Sequence, residues 1–575
     1  MEPEQEDGNV EYKLKLLNKT DERIENLASQ MRYRCEEGNS ECIYNIGVED
    51  DGTMTGITES EYQDTIRALN IAASRNHYAV TLISKTKVND DTALTVEEYK
   101  DDGTCETPSE AKYVYEVLVR EHNERDYTEI KVAVAGNVDA GKSSLLGVLT
   151  TGKRDDGRGS ARVSVFNYPH EVRTGRTSSI GHHIMGFNDE GKPVNYSGLG
   201  GRVTWPEIVR SSAKIVSFMD LAGHNKYLKT TILGLASAQP DVCLIIVGAN
   251  KGIRTEKAKF VGKHRMKRHE NMTREHIFLC ITLGIPFAIV VTKIDMIKDQ
   301  GIHNIYKETM KDIRTVIKCP GVRRQPLKVT STEDVVICAK QMHTNSIVPI
   351  FTVSNVTGEG ITELQQFLNM LPKTVSTVPT TQVEMHVDSV WSVTGAGTVI
   401  GGYLNSGTIK VRDKLYLGPN NGKYDIVEVR SIHCKRVALQ NVSHGSYVCL
   451  GLKKFDRRNV RKGNVVLSSA DQRVFTRSFT ANIKVMKSHS TTIRIGYEPV
   501  VHCSAIRQTA ALVELCNKVN SRNPEKTKHD NVLRTGDTAT AKFRFCYQSE
   551  YVIPGMKILL CENRTKVVGV ITEVE

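Results

Sequence analysis

The stretch VAVAGNVDAGKSSLL, Val132–Leu146, restricts the fold of this chain more than any other part of the sequence. Its small and apolar start predicts a buried strand, and the run from Lys142 onward predicts a helix. Between them, Gly136 and Gly141 frame a loop that completes the pattern G-x-x-x-x-G-K-[ST] with Lys142 and Ser143. In such a loop, backbone N–H groups and the helix N-terminus hold phosphates, the lysine reaches the terminal ones and the hydroxyl binds Mg²⁺. A chance glycine turn is the alternative, and the flanking strand and helix argue against it.

The segments around this loop predict an α/β domain with a parallel sheet and crossover helices. Apolar runs alternate with helical stretches from about Tyr127 onward, as expected for strands that are buried on both faces. The longest apolar run, Ile277–Val291, is broken by Gly284 and Pro286 and is short for a bilayer span, so it predicts a helix end, a turn and a buried strand. The strand-like runs are KVAVAG, IVSFMD, DVCLIIVGA and FAIVVTK.

The chain is multidomain, because its 575 residues are too many for a single core. Near the N-terminus, a turn at Asp51-Gly52 predicts a hairpin, and a helix near Ser60–Ala73 and a strand at YAVTLI follow it. After a proline-containing linker at 371–381, strands recur with turns between them, which predicts two β-barrels. The predicted domains are residues 1–128, an acidic extension with a small α/β module; 129–375, the nucleotide-binding domain; 380–469, the first β-barrel; and 472–575, the second.

Charge and cysteine content suggest the compartment and the partners. The acidic start MEPEQEDGN is unlike a signal peptide, and the 13 cysteines contain no CxxC pair, so we expect reduced thiols, a cytoplasmic protein and no metal cluster. Residues 1–130 hold 14 Lys and Arg against 30 Asp and Glu, a net of −16; since the whole chain carries +11, the remainder carries +27. A solvated lysine-rich surface and a polyanionic partner such as RNA both explain that excess. The same two readings apply to the basic stretch Arg254–Asn271.

Three further motifs follow the phosphate loop in a fixed order. In VVTKID, Lys293 precedes Asp295, whose carboxylate accepts hydrogen bonds from the N1–H and 2-amino group of guanine, groups that adenine lacks. Earlier, FMDLAGH offers Asp220 to hold Mg²⁺ through water and the Gly223 N–H for the terminal phosphate. Earlier still, GRTSSIG offers the Thr177 hydroxyl to close over Mg²⁺. Four ordered elements are far more specific than any one of them.

The segments GNVDAGKSS, GRTSS, DLAGHNKYLKTT, VTKID and SNVTGEG resemble the motif series of translational GTPases related to elongation factor 1-alpha and elongation factor Tu. The likeness is strongest to the eukaryotic family called GTP-binding proteins one and two, and it extends over most of the chain. The resemblance implies a P-loop G domain followed by two β-barrels, a cycle of GTP binding and hydrolysis with Mg²⁺, and binding to the factor site of ribosomes with or without tRNA.

The resemblance also assigns roles to particular residues. His224 is implied to orient the attacking water, and Ser143 and Thr177 are implied to bind Mg²⁺. The implied nucleotide-binding residues are Gly136, Asn137, Val138, Asp139, Ala140, Gly141, Lys142, Ser143 and Ser144 in the phosphate loop, Asp220 and Gly223 in the second switch, Thr292, Lys293 and Asp295 in the guanine motif, and Ser354, Asn355 and Val356 behind the base.

Three departures limit that transfer. Thr292 stands where most GTPases have asparagine, so one anchoring hydrogen bond is weakened or remade. Arg176 stands where elongation factors carry the isoleucine that shields the water, while Val138 keeps the other half of that gate. Ala396 replaces a basic residue of the first barrel, so no contact with the tRNA end is carried over.

Three functions fit these patterns. The first is a GTPase that acts on ribosomes with tRNA, in elongation support, ribosome rescue or mRNA surveillance. The second is a GTP-binding scaffold that recruits RNA-decay or quality-control machinery without ribosome-stimulated hydrolysis. A regulatory GTPase without a ribosomal role is the third, and two β-barrels disfavour it. For all three we expect a monomer that does not associate with membranes.

Overall fold

This computed structural model describes most of the chain. Much of the acidic leader, the segment 101–110, the linker 374–380, Arg176 and most of the basic stretch 254–271 lie outside the described residues. The described residues are 8–16, 20–38, 41–76, 78–88, 112–121, 127–166, 168–175, 177–178, 180–196, 203–224, 227–238, 240–252, 260–261, 264–265, 272–298, 300–318, 324–342, 344, 346–373, 381–469, 471, 474–486, 492–519, 532–562 and 564–575.

A small α/β module forms the N-terminal part. Its elements are β1 (Val10–Lys13), α1 (Asp21–Glu37), β2 (Glu41–Ile46), α2 (Glu59–Arg75), β3 (Tyr78–Lys87) and β4 (Tyr113–Glu121). The sheet has the order β1-β2-β4-β3, with β1 parallel to β2 and the other neighbours antiparallel. Apolar residues of both helices meet one face of the sheet in a core that includes Met31, Tyr44 and Leu69. The predicted helix and the predicted YAVTLI strand are confirmed by α2 and β3.

The predicted hairpin at Asp51-Gly52 is wrong in its second arm. The chain does reverse there, since the Glu49 N–H donates to the Thr53 carbonyl at 3.0 Å. The segment after the turn is not a strand, however, and Ile57 makes only an isolated bridge to Tyr113. Both edges of β2 are already paired, with β1 on one side and β4 on the other, so the returning segment cannot pair with it.

The central domain is a seven-stranded sheet flanked by helices. Its elements are β5 (Thr128–Gly136), α3 (Lys142–Thr151), a 3₁₀ turn (Ala161–Ser164), α4 (Pro169–Thr174), β6 (Gly181–Phe187), α5 (Trp205–Arg210), β7 (Lys214–Asp220), α6 (Leu228–Ala238), β8 (Val242–Gly248), β9 (Phe260–Val261), β10 (His264–Arg265), α7 (Thr273–Leu283), β11 (Phe287–Thr292), a 3₁₀ turn (Ile294–Lys298), α8 (Gln300–Ile317), β12 (Gln325–Lys328), α9 (Thr332–Lys340), β13 (Ile347–Thr352) and α10 (Ile361–Met370).

The order of this sheet is β12-β13-β11-β8-β5-β7-β6, and only β6 runs antiparallel to its neighbour. Along β5, Val132 and Val134 enter one core while Ala133 and Ala135 enter the other, so both faces are buried as the apolar run predicts. After β5 the chain continues to β6 and β7 on one side of it, and after β8 it continues to β11 on the other side, so the connections that leave the neighbouring strands β5 and β8 diverge and open a crevice at the carboxyl edge. The long apolar run divides as predicted, into the end of α7 and β11.

Two β-barrels follow, as predicted. Six strands close each barrel, and shorter strands extend it. The first contains β14 (Glu384–Val393), β15 (Gly397–Ser406), β16 (Thr408–Lys410), β17 (Lys414–Asn420), β18 (Lys423–Cys434), β19 (Val437–Leu439), β20 (Asn441–Ser443), β21 (Tyr447–Leu452) and β22 (Val465–Leu467). The second contains β23 (Ser478–Val485), β24 (Thr492–Arg494), β25 (Val500–Cys503), β26 (Ile506–Val519), β27 (Val532–Arg534), β28 (Thr538–Phe545), β29 (Lys557–Glu562) and β30 (Arg564–Val574). Pairing of β17 with β18 closes the first barrel, and pairing of β23 with β30 closes the second.

Buried ion pairs join the N-terminal module and the first barrel to the amino edge of the central sheet. The Lys214 ammonium, at the start of β7, lies 3.0 Å from both oxygens of Glu41 in the N-terminal module, and the Arg120 Nε lies 2.9 Å from the same carboxylate. Glu129, near the start of β5, pairs with Lys435 of the first barrel. These contacts fix two neighbouring domains against the sheet. None of the helices within the described ranges is long and apolar enough to cross a membrane.

Candidate nucleotide-binding site

The phosphate loop connects the end of β5 at Gly136 to the start of α3 at Lys142, as predicted. Gly136 has φ +149°, and a Cβ there would lie 2.3 Å from the carbonyl oxygen of Ile246. Only glycine therefore lets this strand end pack against β8. Gly141 caps α3 with φ +90°, in the left-handed region that favours glycine. The backbone N–H groups at the start of α3 consequently face the carboxyl edge of the sheet.

Lys142 is a buried cation at the centre of this loop. Its ammonium donates a hydrogen bond to the Asn137 carbonyl oxygen at 3.1 Å. Burial lowers the pKa of Lys142, and the carboxylates of Asp220 and Asp139 only partly oppose that effect. A phosphate placed here would supply the negative charge that the buried ammonium lacks.

Three oxygen-bearing side chains from separate segments converge beside Lys142. The Ser143 Oγ lies 3.0 Å from the Thr177 Oγ1 and donates to Asp220 Oδ2 at 2.8 Å, and the Thr177 hydroxyl donates to the same oxygen at 3.1 Å. Burial raises the pKa of Asp220, against the effects of Lys142 and the two hydroxyls. The other oxygen, Asp220 Oδ1, is buried without a hydrogen-bond partner among the described residues. Two hydroxyls and a buried carboxylate fit Mg²⁺, which prefers oxygen ligands.

The segment after β7 completes the phosphate end of the cleft. A Cβ on Gly223 would lie 2.5 Å from the Lys142 ammonium and 2.6 Å from the Gly136 carbonyl oxygen, so glycine is required there. His224 lines the same cleft, and its ring lies 6.2 Å from that of Tyr227. The remaining predicted residues that line this cleft are Val138, Asp139, Gly141, Ser143, Ser144 and Thr177.

The segments predicted to bind the base lie at the other end of the predicted site. The Ser354 hydroxyl donates to Asp295 Oδ1 at 2.6 Å and accepts from the backbone N–H of Val356 at 3.2 Å, which fixes the carboxylate. Asn355 is buried, and its Oδ1 has no hydrogen-bond partner in the described part of the chain. Lys293 has φ +62°, and burial lowers the pKa of its ammonium.

Thr292 joins the two ends of the site. Its hydroxyl donates to the Ala140 carbonyl oxygen of the phosphate loop at 2.5 Å, and it is fully buried. A threonine hydroxyl therefore makes a link between the strand that carries the guanine motif and the loop that holds phosphates. Whether the anchoring hydrogen bond is weakened or remade by the threonine stays a prediction.

Comparison with known proteins bears on the identity of this site. The family "Elongation factor Tu GTP binding domain" matches residues 128–375, "Elongation factor Tu domain 2" matches residues 397–467 and "GTP-eEF1A C-terminal domain-like" matches residues 478–552. Human GTP-binding protein 2 is 38% identical over 100% of this chain and 88% of its own length. GTP-binding protein 1 of Xenopus laevis is 38% identical over 99% of this chain and 79% of its own length.

The chain belongs to the family of GTP-binding proteins 1 and 2. It is thus a GTPase of the elongation-factor type. Elongation factor 1-alpha of Metallosphaera sedula is 26% identical over 77% of the chain and 95% of that protein. Among solved structures, a bacterial selenocysteine-specific elongation factor has the same fold, with a TM-score of 0.52 and 20% identity over 77% of this chain and 58% of that one. The SelB elongation factor of Methanococcus maripaludis bound to a GTP analogue gives a TM-score of 0.51 at 18% identity over 78% and 80% of the two chains.

In this member of the GTPase family, one residue that lines the cleft and a second that fixes the loop leading to it were missed from the sequence. Arg162, in the 3₁₀ turn after α3, lines the phosphate end. Asp155 is buried, and its carboxylate accepts backbone N–H groups of the loop that leads to Arg162. The signal available was the segment DDGRGSAR, whose acidic residues and glycines indicate an ordered turn.

Proposed function

We propose that this protein binds GTP with Mg²⁺ and hydrolyses it as a switch on ribosomes, together with tRNA, in elongation support, ribosome rescue or mRNA surveillance. The observation that carries the proposal is the convergence of Ser143, Thr177 and Asp220. These residues come from the phosphate loop, the segment after α4 and the end of β7. A ligand held among them couples three parts of the chain, and its loss releases them.

Guanine is the base that the site favours. Ser354 orients the Asp295 carboxylate, and a carboxylate accepts both the N1–H and the 2-amino protons of guanine. Adenine presents neither group in that arrangement. Thr292 and Asn355 lie behind the phosphate loop and keep the base end at a fixed distance from the phosphates.

The phosphate end supplies positioning and charge for the transfer. Bound Mg²⁺ neutralises phosphate charge. The Lys142 ammonium and the Gly223 N–H donate to phosphate oxygens, and His224 orients a water molecule. The water oxygen bonds to the γ-phosphorus while the bond to the β–γ bridging oxygen breaks, its electron pair leaves with GDP, and the proton of the water passes to the released phosphate.

The proposed partners follow from charge and family. Residues 131–575 carry a net +27, which suits the phosphate backbone of ribosomal RNA and tRNA. Relatives named elongation factors share the central domain and both barrels. We place the protein in the cytoplasm and propose that it acts as a monomer.

The test is multiple-turnover GTP hydrolysis by the purified protein, alone, with empty ribosomes and with ribosomes carrying peptidyl-tRNA. We expect strong stimulation by one ribosomal state, and we expect His224→Ala to lower that stimulated rate about 100-fold. GTP affinity of the variant should stay within about threefold, because His224 orients water and does not anchor the nucleotide. His444→Ala is a matched control, since His444 is exposed before β21 in the first barrel and does not line the cleft.

Two results would contradict this proposal. Full stimulated turnover by His224→Ala would remove the histidine from the mechanism. Absence of stimulation by every ribosomal state would leave nucleotide binding intact and favour the scaffold that recruits RNA-decay machinery.

Base recognition is tested by Asp295→Asn. An amide donates where the carboxylate accepted, so preference should move from GTP toward xanthosine triphosphate by about 100-fold or more. Competition binding with the two triphosphates measures this shift. Unchanged selectivity would show that another group selects the base.

A further inference from the structure

Arg162 is a cation of the phosphate cleft that the mechanism above does not use. Its side chain is half-buried and lines the cleft together with Lys142, Ser143, Thr177 and His224. Within the described ranges, no carboxylate lies close enough to Arg162 to form an ion pair. A guanidinium in this position is therefore available for an anionic ligand.

One carboxylate fixes the backbone of the loop that leads to Arg162. Asp155 accepts hydrogen bonds from the N–H groups of Gly157 at 3.1 Å, Gly159 at 3.1 Å and Ala161 at 3.0 Å. The Asp155 N–H in turn donates to the Asn355 carbonyl oxygen at 2.8 Å. The loop before Arg162 is thus tied to the segment behind the base.

Helix α3 holds the same loop from the other side. A Cβ on Gly147 would lie 2.1 Å from the Ala161 carbonyl oxygen, so the 3₁₀ turn packs directly on the backbone of α3. α3 is the helix that begins at the phosphate loop. The backbone of Arg162 is therefore fixed relative to both ends of the predicted nucleotide site.

Two glycines make room for the guanidinium itself. A Cβ on Gly159 would lie 2.6 Å from the Arg162 Nε, and a Cβ on Gly175 would lie 3.0 Å from its Nη2. Both glycines have positive φ, +93° and +65°. Gly175 ends α4 and stands two residues before Thr177, so the guanidinium lies beside the segment that brings Thr177 into the oxygen cluster.

The charges around the cleft favour an anion at Arg162. The pKa of Lys293 is lowered first by burial. The carboxylates of Asp139 and Asp295 oppose that effect, while Lys251 and Arg162 add to it by repulsion. The Asp139 carboxylate lies 3.0 Å from the Lys251 ammonium, and Asp220 is engaged by two hydroxyls. An anion bound between Arg162 and Lys293 would reduce the repulsion between these two cations.

We propose that the Arg162 guanidinium donates hydrogen bonds to phosphate oxygens of GTP and stabilises the charge that moves onto GDP during hydrolysis, an inference that rests on the function proposed above. In that step the water oxygen bonds to the γ-phosphorus and the bridging bond to GDP breaks. The guanidinium stays protonated throughout, as arginine side chains do in proteins, and it transfers no proton. A donor of this kind, supplied by the chain itself, contributes by electrostatic stabilisation.

The experiment compares Arg162→Ala, Arg162→Lys and Arg158→Ala in the full-length protein. Arg158 is the matched control, because it is exposed four residues earlier in the same loop and does not line the cleft. Single-turnover hydrolysis of GTP and the affinities for GTP, GDP and GDP with aluminium fluoride are measured for each variant. Arg162→Ala should lower the hydrolysis rate about 100-fold and weaken GDP–aluminium fluoride binding similarly, with GDP affinity within about threefold. Arg162→Lys should recover part of the rate, because it keeps the charge without the planar fork.

Rates and affinities of Arg162→Ala that match those of Arg158→Ala would overturn the proposal. Loss of GDP affinity equal to the loss of GDP–aluminium fluoride affinity would also overturn it, since that result indicates a structural role. If the unmodified protein hydrolyses no GTP in any state, the proposed function fails by itself. Arg162 is then judged by binding alone: a selective loss of GTP over GDP supports the phosphate contact, and equal binding refutes it.

Discussion

The buried charges at the two edges of the central sheet differ in whether an opposite charge lies beside them. At the amino edge, the Lys214 ammonium meets Glu41 and Glu129 meets Lys435, so each buried charge has an opposite charge from another domain. At the carboxyl edge, the Lys142 ammonium meets a backbone carbonyl, and one oxygen of Asp220 lacks a partner among the described residues. Paired charges fix one domain against another, whereas incompletely compensated charges prepare a site for a charged ligand. The paired charges lie near the amino ends of β5 and β7, and the incompletely compensated charges lie at or just beyond the carboxyl ends of the same two strands.

The largest expected effect comes from breaking the amino edge. Glu41→Ala leaves Lys214 and Arg120 buried without their shared carboxylate, and should lower the free energy of unfolding by about 3 to 5 kcal/mol. Urea unfolding measures it. Glu190→Ala is the control, because the Glu190–Lys192 pair is exposed and its loss should leave the midpoint unchanged. A midpoint for Glu41→Ala equal to that of the control would show that the buried pairing does not hold the module.

At the carboxyl edge, removal of a buried negative charge should affect ligand binding and leave stability nearly intact. Asp220→Asn removes a charge that burial already disfavours, so the nucleotide-free protein should unfold within about 1 kcal/mol of the original. Its affinity for GTP should fall about 100-fold in Mg²⁺ and much less in EDTA. Equilibrium binding in the two buffers measures this contrast. A large loss of stability with unchanged affinity would reverse the comparison between the edges.

The smallest expected effect is a difference in how Lys214 and Lys435, the two buried lysines of the amino edge, make stability depend on pH. Burial lowers the pKa of Lys214 to about 8, against the attraction of Glu41 and with added repulsion from Arg120. For Lys435, the pairing with Glu129 outweighs burial and raises the pKa above its ordinary value. An unfolded lysine titrates near pH 10.4, so the unfolded chain binds more protons at Lys214 between pH 8 and that value. Stability due to Lys214 therefore rises with pH in this window, and that due to Lys435 does not.

A pH series measures that difference. Between pH 8 and pH 9.5, the free energy of unfolding of the original protein should rise by about 1.5 kcal/mol relative to Lys214→Met. Relative to Lys435→Met, no comparable rise is expected in the same interval. Equal slopes in the two comparisons would mean that the pKa values of the two lysines do not differ in the directions given above.

The sequence predicted the phosphate loop well because its residues are local. Gly136, Gly141 and Lys142 fall within seven positions, and the strand and helix on either side follow from composition. It predicted the two barrels from recurring strands and turns. The boundaries of the four domains, and the roles of the individual site residues, stay predictions.

The sequence could not predict contacts between distant segments. The second arm of the predicted hairpin failed because β1 and β4 occupy both edges of β2, which no local pattern reveals. Arg162 was missed because two glycines and Asp155 bring it to the cleft, and none of them has a phosphate-binding pattern.

By itself, the sequence determined the strand, loop and helix of the phosphate-binding segment, the order of the motifs and the family. Those features depend on residue spacing within a few turns of chain, where side-chain periodicity and backbone preference act directly. The tertiary structure alone decided which charges are compensated. Lys214 meets Glu41 across 173 positions, and Thr292 meets Ala140 across 152. Burial and strand order bring such groups together, and they determine whether a buried charge joins two domains or remains at the cleft for a ligand.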